Sequence, residues 1–431
     1  MKRLILGFSA IALLSGALRA QVVEAPQPPE PPRVDGNVRV NIPRPPRPMQ
    51  DMQVPDGPTR SKTFSKSFIL DNSDKINLYN VHGSMVIKSW DKKEIKVDID
   101  IKGYSNTEEE AQKLIDEVRI DAGKAGDIVT FKTVLNENGK YGMSLTNGKV
   151  KWRRQLKVNY IVYMPATNAL TASQQYGNME IGSFAAPTSL KVQYGNLVAN
   201  SLASANNYLS AQYGDIKVTE LNKGNVKQQY GNTLTIGTVN TLDLNIQYAA
   251  ANIGTIKGNA VIKAQYGGGV TIGSVDNLDL DAQYAKVKVT TLNGNISAKQ
   301  QYGNLNLVSV TGKANVIAQY TGITIGTLKG DGNFNVEYDR LTINEVGVAC
   351  KNLIIKSEYV NITLGFASGY NANADINTDY AGFRPGSYTS IKQVRENDRD
   401  YSSKKYYEGK INNGGPGILR IDAEYGGVTL K

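Results

Sequence analysis

The stretch Gln319-Tyr-Thr-Gly-Ile-Thr-Ile-Gly-Thr-Leu-Lys-Gly-Asp-Gly-Asn-Phe-Asn-Val-Glu-Tyr338 decides the fold. Between its two tyrosines, apolar residues fall at Ile323, Ile325 and Leu328, then at Phe334 and Val336. Alternation within each group is the strand signature, and no 3.6-residue period is present. The pattern recurs on both sides. Tyrosines stand at Tyr176, Tyr194, Tyr213, Tyr230, Tyr248, Tyr266, Tyr284, Tyr302, Tyr320 and Tyr338, in steps of 18, 19, 17, 18, 18, 18, 18, 18 and 18 residues. Tyr359, Tyr380 and Tyr425 extend the series with steps of 21, 21 and 45. A short fixed period means a solenoid.

Coil energetics dictate stacking. About five inward side chains at ~2 kcal/mol each do not offset the ordering of a coil at ~1 kcal/mol or more per residue. Stacked coils succeed because every inward face gains neighbours above and below. The expected fold is therefore all-β: a single-stranded parallel β-helix (β-solenoid) with ~18-residue coils and strands about 4.8 Å apart. Ten coil intervals from Tyr176 to Tyr359 give a rod roughly 50 Å long.

Stacking turns equivalent residues into ladders. One is glutamine, from Gln193 and Gln212 through Gln229, Gln247, Gln265, Gln283 and Gln301 to Gln319. In-register amides can hydrogen-bond from coil to coil. The other is tyrosine, and two readings of it stand side by side. Strand parity puts each ring inward or at a corner, closing the core. A bend at the following glycine would instead expose a Tyr/Gln stripe able to meet sugar rings. On the second reading the ligand-binding residues are Tyr194, Tyr213, Tyr230, Tyr248, Tyr266, Tyr284, Tyr302 and Tyr320. In the last coils the glutamine position turns acidic: Glu337, Glu358, Asp379 and Glu424. Stacked carboxylates repel by about 0.8 kcal/mol per pair even in water. Lys356, Lys351 and Arg340 could neutralise them, or Glu337, Glu358 and Asp379 could hold a hard cation such as Ca²⁺. No other cofactor is expected.

The flanks set the domain plan. Residues 1–20 read as a secretory signal peptide, with Lys2 and Arg3 ahead of the apolar run Leu4 to Leu14. Residues 21–60 carry 11 of the 15 prolines and read as a disordered linker. Residues 61–167 read as an N-terminal β cap covering the unpaired edge of the first coil. The cap contains one helix at about 107–118, where Thr107 and Glu110 make a capping box, and a hairpin of Ile128–Val134 with Lys149–Tyr163. Residues 168–380 are the repeats. Residues 381–431 are a charged loop, Arg395 to Lys405, and a closing coil, Ile418 to Lys431.

The single cysteine, Cys350, excludes an intrachain disulfide and a thiolate metal cluster. No later stretch is long and apolar enough for a spanning helix. Net charge is +10, and much of the local excess lies in Lys149, Lys151, Arg153, Arg154 and Lys157 around Trp152. On an alternating strand these read as a solvated face or an anion-binding patch. Export disfavours nucleic acid as a partner. The single histidine, His82, reads as a structural residue of the cap. No Ser/His/Asp set, clustered histidines or phosphate loop appears, so no catalytic residue is assigned.

Three stretches carry a resemblance. Leu78-Tyr-Asn-Val-His-Gly-Ser-Met-Val-Ile-Lys-Ser-Trp90 resembles the opening coil of the putative-adhesin family of domains of unknown function. Tyr160-Ile-Val-Tyr-Met-Pro-Ala-Thr-Asn-Ala-Leu170 is similar to that family's entry into its repeats. The segment Tyr407 to Leu430 is similar to its closing hairpin and coil. The resemblance, shared with the head-GIN adhesins, implies a single-stranded parallel β-helix. It supplies no functional residue.

The sequence thus points to an exported, non-enzymatic cell-envelope or surface protein, periplasmic or extracellular, binding a glycan or an envelope protein through its ladder faces. The alternatives are a purely architectural or signalling rod and a β-helix polysaccharide-active enzyme. Oligomeric state is open.

Overall fold

The computed structural model describes residues 57–136, 141–146, 149–395 and 403–431. The expected leader, nearly all of the proline-rich linker and most of the Arg395–Lys405 loop lie outside the described residues. The rest is a β-solenoid of about 11 turns with one short helix.

Each coil contributes one strand segment after its tyrosine and one before the next, and both pair in parallel with the adjacent coils. Between Ile216–Gln229 and Thr233–Gln247 the register runs from Ile216↔Leu234 through Val218↔Ile236 and Val226↔Leu244 to Gln229↔Gln247. The predicted apolar columns face inward: Ile323, Ile325, Leu328 and Phe334 are fully buried. Leu, Ile, Val and Ala supply most of the inward columns of one continuous core.

The first parallel coil starts within the segment read as the cap. Lys75–Val81 pairs with Ala169–Gln175, and Met85–Ser89 pairs with Met179–Ile181. Above this coil the pairing changes sense. Lys149–Met164 lies parallel on Met85–Ser89, Glu94–Ser105 antiparallel on it, and Thr59–Ile69 antiparallel beyond. On the other wall Ile128–Val134 lies parallel on Lys75–Tyr79 and Arg119–Ala125 closes it antiparallel. The expected hairpin is therefore corrected: Ile128–Val134 turns back on Arg119–Ala125, and Lys149–Met164 on Gly142–Thr146. Both strands alternate cleanly, and alternation does not name the partner.

The helix is Glu108–Asp116. Thr107 Oγ1 accepts from the Glu110 backbone N–H at 3.2 Å. Half of the expected box forms, because the Glu110 carboxylate accepts from the Ser105 hydroxyl instead. Ala111, Leu114 and Ile115 are buried, and the helix packs against Glu94–Ser105 and Thr59–Ile69.

The other end is not in sequence order. Gly417–Glu424 pairs in parallel with Asn352–Phe366 on one side and with Ala372–Asp379 on the other. Val428–Leu430 does the same between Ile362–Leu364 and Phe383–Arg384. The coil expected to close the rod is thus inserted between two earlier coils. The end itself is covered by Lys404–Ile411, antiparallel on Ala372–Asp379, and then by Lys392–Arg395.

Candidate functional site

The tyrosine of every coil sits on a corner with unusual backbone. All thirteen, from Tyr176 to Tyr425, have φ between 48° and 58°. Left-handed backbone costs a residue with a Cβ roughly 1–2 kcal/mol. It also swings the side chain off the face that extended parity assigns. The ring leaves the core and lies half-exposed along the corner, 48% exposed at Tyr266. The parity reading of an inward ring is corrected on this point, and the bend falls at the tyrosine rather than after it. The next residue lies against the coil above, and a Cβ on Gly195 would stand 2.0 Å from the Gly177 carbonyl oxygen.

The rings stack face to face without a break. Centroids are 4.6 to 5.4 Å apart and planes within 15°. This offsets the backbone cost, since an aromatic pair contributes about 0.5–1.5 kcal/mol beyond its buried area. Spatial order follows the inserted coil, with Tyr425 between Tyr359 and Tyr380. The first rung is not a tyrosine. His82 has φ 61° and stacks on Tyr176 at 4.9 Å and 9°. The sequence carried a signal for this, because Val81-His82-Gly83-Ser84 aligns with Gln193-Tyr194-Gly195-Asn196. Burial pulls the His82 imidazole down from its ordinary range. Tyr141 closes this end at 4.9 Å from His82.

All eight tyrosines proposed as ligand contacts, Tyr194 to Tyr320, are brought into this one row. Their faces are occupied by each other, so ring edges and hydroxyls form the outer surface. Crowding raises the phenols: burial and the neighbouring phenols push Tyr213 and Tyr284 upward. The glutamine ladder runs beside them, with Gln229 to Gln247 at 2.7 Å and Gln247 to Gln265 at 2.8 Å. On the far side of the corner an asparagine ladder, not anticipated from sequence, ties coils together. Asn178 Oδ1 accepts from the Asn196 N–H and Asn196 Oδ1 from the Asp215 N–H, both at 2.9 Å. Behind the corner, buried Gln300 donates to the carbonyls of Ala285 and Asn304.

The acidic rungs stack in the order Glu337, Glu358, Glu424, Asp379. Glu358 and Asp379 are therefore separated by Glu424. Gln319 donates to Glu337 at 2.9 Å, while Asp379 takes the Ser403 hydroxyl and lies 3.9 Å from Lys404. Arg340 pairs with Asp339 rather than with the ladder. Burial, then Glu424 and Glu337, push the Glu358 carboxyl above the usual range. The four acidic rungs line a cleft of about 520 Å³ with Lys356, Lys404 and Tyr406. Among the described residues no group of three or more His, Cys, Asp or Glu has metal-site geometry.

The basic stretch is partly consumed. Arg153 is buried, with its guanidinium 4.7 Å from the Tyr104 ring, and Arg154 pairs with Glu117 at 2.7 Å. Trp152 is exposed, as are Lys151 and Lys157. No helix among the described residues is long and apolar enough to cross a membrane.

Fold and corner define a β-solenoid with an aromatic ladder along one edge. No family model and no curated protein matches the chain. Solved structures do match it. A putative cell adhesion protein from Clostridium sporogenes is 10% identical, covers 86% of this chain and 99% of its own, and superposes with a TM-score of 0.18. A putative adhesin from Bacteroides fragilis is 15% identical over 61% of this chain and 96% of its own, with a TM-score of 0.27. A putative adhesin from Parabacteroides merdae is 11% identical over 86% and 96%, with a TM-score of 0.18.

Proposed function

We propose that the chain is an exported, non-enzymatic adhesin-like rod of the cell envelope or surface, and that it holds an extended glycan along the tyrosine corner. The observation that supports this reading is the row itself. Tyr194 to Tyr320 present one phenol edge and hydroxyl per coil, flanked by glutamine amides, at a pitch of about 4.8 Å. A hydroxyl-rich polymer can repeat one weak contact from coil to coil, and linked weak contacts sum to a strong one. Ligand binding by ring edges and hydroxyls differs from sugar stacking, because the ring faces are already paired. The lone histidine is held in the stack, which argues against histidine-based catalysis.

One observation favours the architectural alternative. The rings saturate each other, and a ladder built only for cohesion needs nothing more. A glycan array probed with the protein, with and without Ca²⁺, separates the two. Saturable binding that falls in Tyr230→Ser/Tyr266→Ser supports the adhesin reading. Loss on chelation would assign the acidic rungs Glu337, Glu358 and Asp379 as a cation site. Absence of binding to any glycan favours the architectural rod.

A further inference from the structure

Three loops meet near the first coil: residues 70–72, 89–93 and 165–168. They enclose a cleft of about 370 Å³. One wall is Trp90, and its indole is fixed on two sides. The ring N–H donates to the Glu94 carbonyl at 2.7 Å, and Tyr163 stacks behind it at 5.4 Å. The Lys92 ammonium rests over the ring, 5.0 Å from its centroid.

The opposite loops are held by buried polar bonds. Asn168, 3% exposed, donates to the carbonyls of Asp71 at 2.7 Å and Asp74 at 3.0 Å. Asp74, 1% exposed, accepts from the Asp71 N–H and pairs with Lys124 at 2.6 Å. Asp71 Oδ1 accepts from both the N–H and the hydroxyl of Ser73. Those bonds hold its carboxyl below the usual range, so it is an ionised acceptor at neutral pH. Asn72 and Asp91 are exposed on the same rim. Loops fixed before a ligand arrives lose little entropy on binding.

An apolar ring face beside planar carboxylates and amides is the complement of a sugar: C–H groups on one side, hydroxyls at the edge. The volume lies at the small end of ligand pockets and suits one ring rather than a chain. Asp71 and Asp91 balance Lys92 and Lys93, which favours an uncharged ligand. We propose that this cleft binds one neutral hexopyranose unit, whose ring displaces Lys92 from Trp90 while Asp71, Asn72 and Asp91 take its hydroxyls. The proposal shares the glycan class with the reading above but uses none of the ladder residues.

The chain has two tryptophans, Trp90 and Trp152, so Trp152→Phe leaves Trp90 as the only indole reporter. The probes are the methyl glycosides of glucose, galactose, mannose and N-acetylglucosamine, titrated to about 0.1 M, enough to saturate a site with a Kd of about 1 mM. A saturable change in Trp90 emission with at least one glycoside is expected. Asn72→Ala/Asp91→Asn, both on the exposed rim, should weaken it about tenfold, and Lys92→Ala should leave it equal or tighter. Tyr266→Ser in the ladder should not alter it. A linear response to all four sugars, or one unchanged by the rim substitutions, overturns the proposal. Array binding lost only in ladder variants would then leave the corner reading standing without this cleft.

Discussion

Replacing Tyr266 tests whether the ladder holds the rod together and whether its backbone is left-handed. The ring stacks on Tyr248 at 5.4 Å and on Tyr284 at 5.1 Å. Half-buried, it covers roughly 100 Å² of its surface, about half of what a tyrosine can bury. At ~25 cal/mol per Å² that is about 2.5 kcal/mol, an upper figure because the unfolded chain already covers some of it. Two stacked pairs add about 0.5 kcal/mol each at the low end. Tyr266→Ala should then destabilise by about 2–4 kcal/mol. Tyr266→Gly loses the same contacts but removes the Cβ from a backbone with φ 51°, recovering about 1 kcal/mol. Glycine should be the milder substitution, the reverse of its rank in an ordinary strand. Equilibrium urea unfolding followed by circular dichroism gives both values, and amide exchange in Ala250–Gln265 and Gly269–Gln283 shows whether the loss is local. An alanine effect within about 0.5 kcal/mol refutes the ladder's cohesive role, and glycine worse than alanine refutes the backbone argument.

Three further outcomes follow from the same geometry. Gly195→Ala should cost more than about 3 kcal/mol, because its Cβ would meet a backbone oxygen at 2.0 Å, whereas Gly123→Ala, with nothing within 4 Å, should stay within about 0.5 kcal/mol; thermal melts of the pair check this. The folded His82 binds a proton less readily than the unfolded chain does, so its contribution falls as pH drops through the ordinary histidine range. His82→Tyr should complete the ladder and flatten that part of the stability curve in urea titrations between pH 7.5 and 5. The raised Glu358 carboxyl has the opposite sign: its penalty is present above its folded pKa and is relieved as pH falls through it. Glu358→Gln should raise the neutral-pH urea midpoint and reduce its gain on acidification, and an unchanged midpoint would count against the repulsion.

The period made the rod legible, because an in-register stack repeats its side-chain demands at every turn. Inward columns such as Ile323, Ile325 and Leu328 followed directly. Where the tyrosine points did not follow, since parity counts only while φ stays extended and nothing in Gln-Tyr-Gly marks which residue turns left-handed. The His82 rung was readable by aligning His82-Gly83 with Tyr-Gly, but a different aromatic in a segment without the repeat hid it. The inserted coil left no local trace. The step from Tyr338 to Tyr359 equals that from Tyr359 to Tyr380, although the first pair of coils touch and the second do not. The Trp90 cleft joins loops nearly 100 residues apart, which no spacing rule connects.

The inserted coil bears on how such a rod changes length. From Tyr194 to Tyr338 each coil touches the ones before and after it in sequence, so a duplicated coil there adds one rung of about 4.8 Å and leaves both ends as they were. The junction around Tyr425 behaves differently. A coil duplicated between Tyr359 and Tyr380 would widen a gap that the single strand Gly417–Glu424 now bridges edge to edge. Growth is therefore free in the middle and blocked at the keystone. Natural relatives of different length should differ by whole coils in the central run and share the splice at the end.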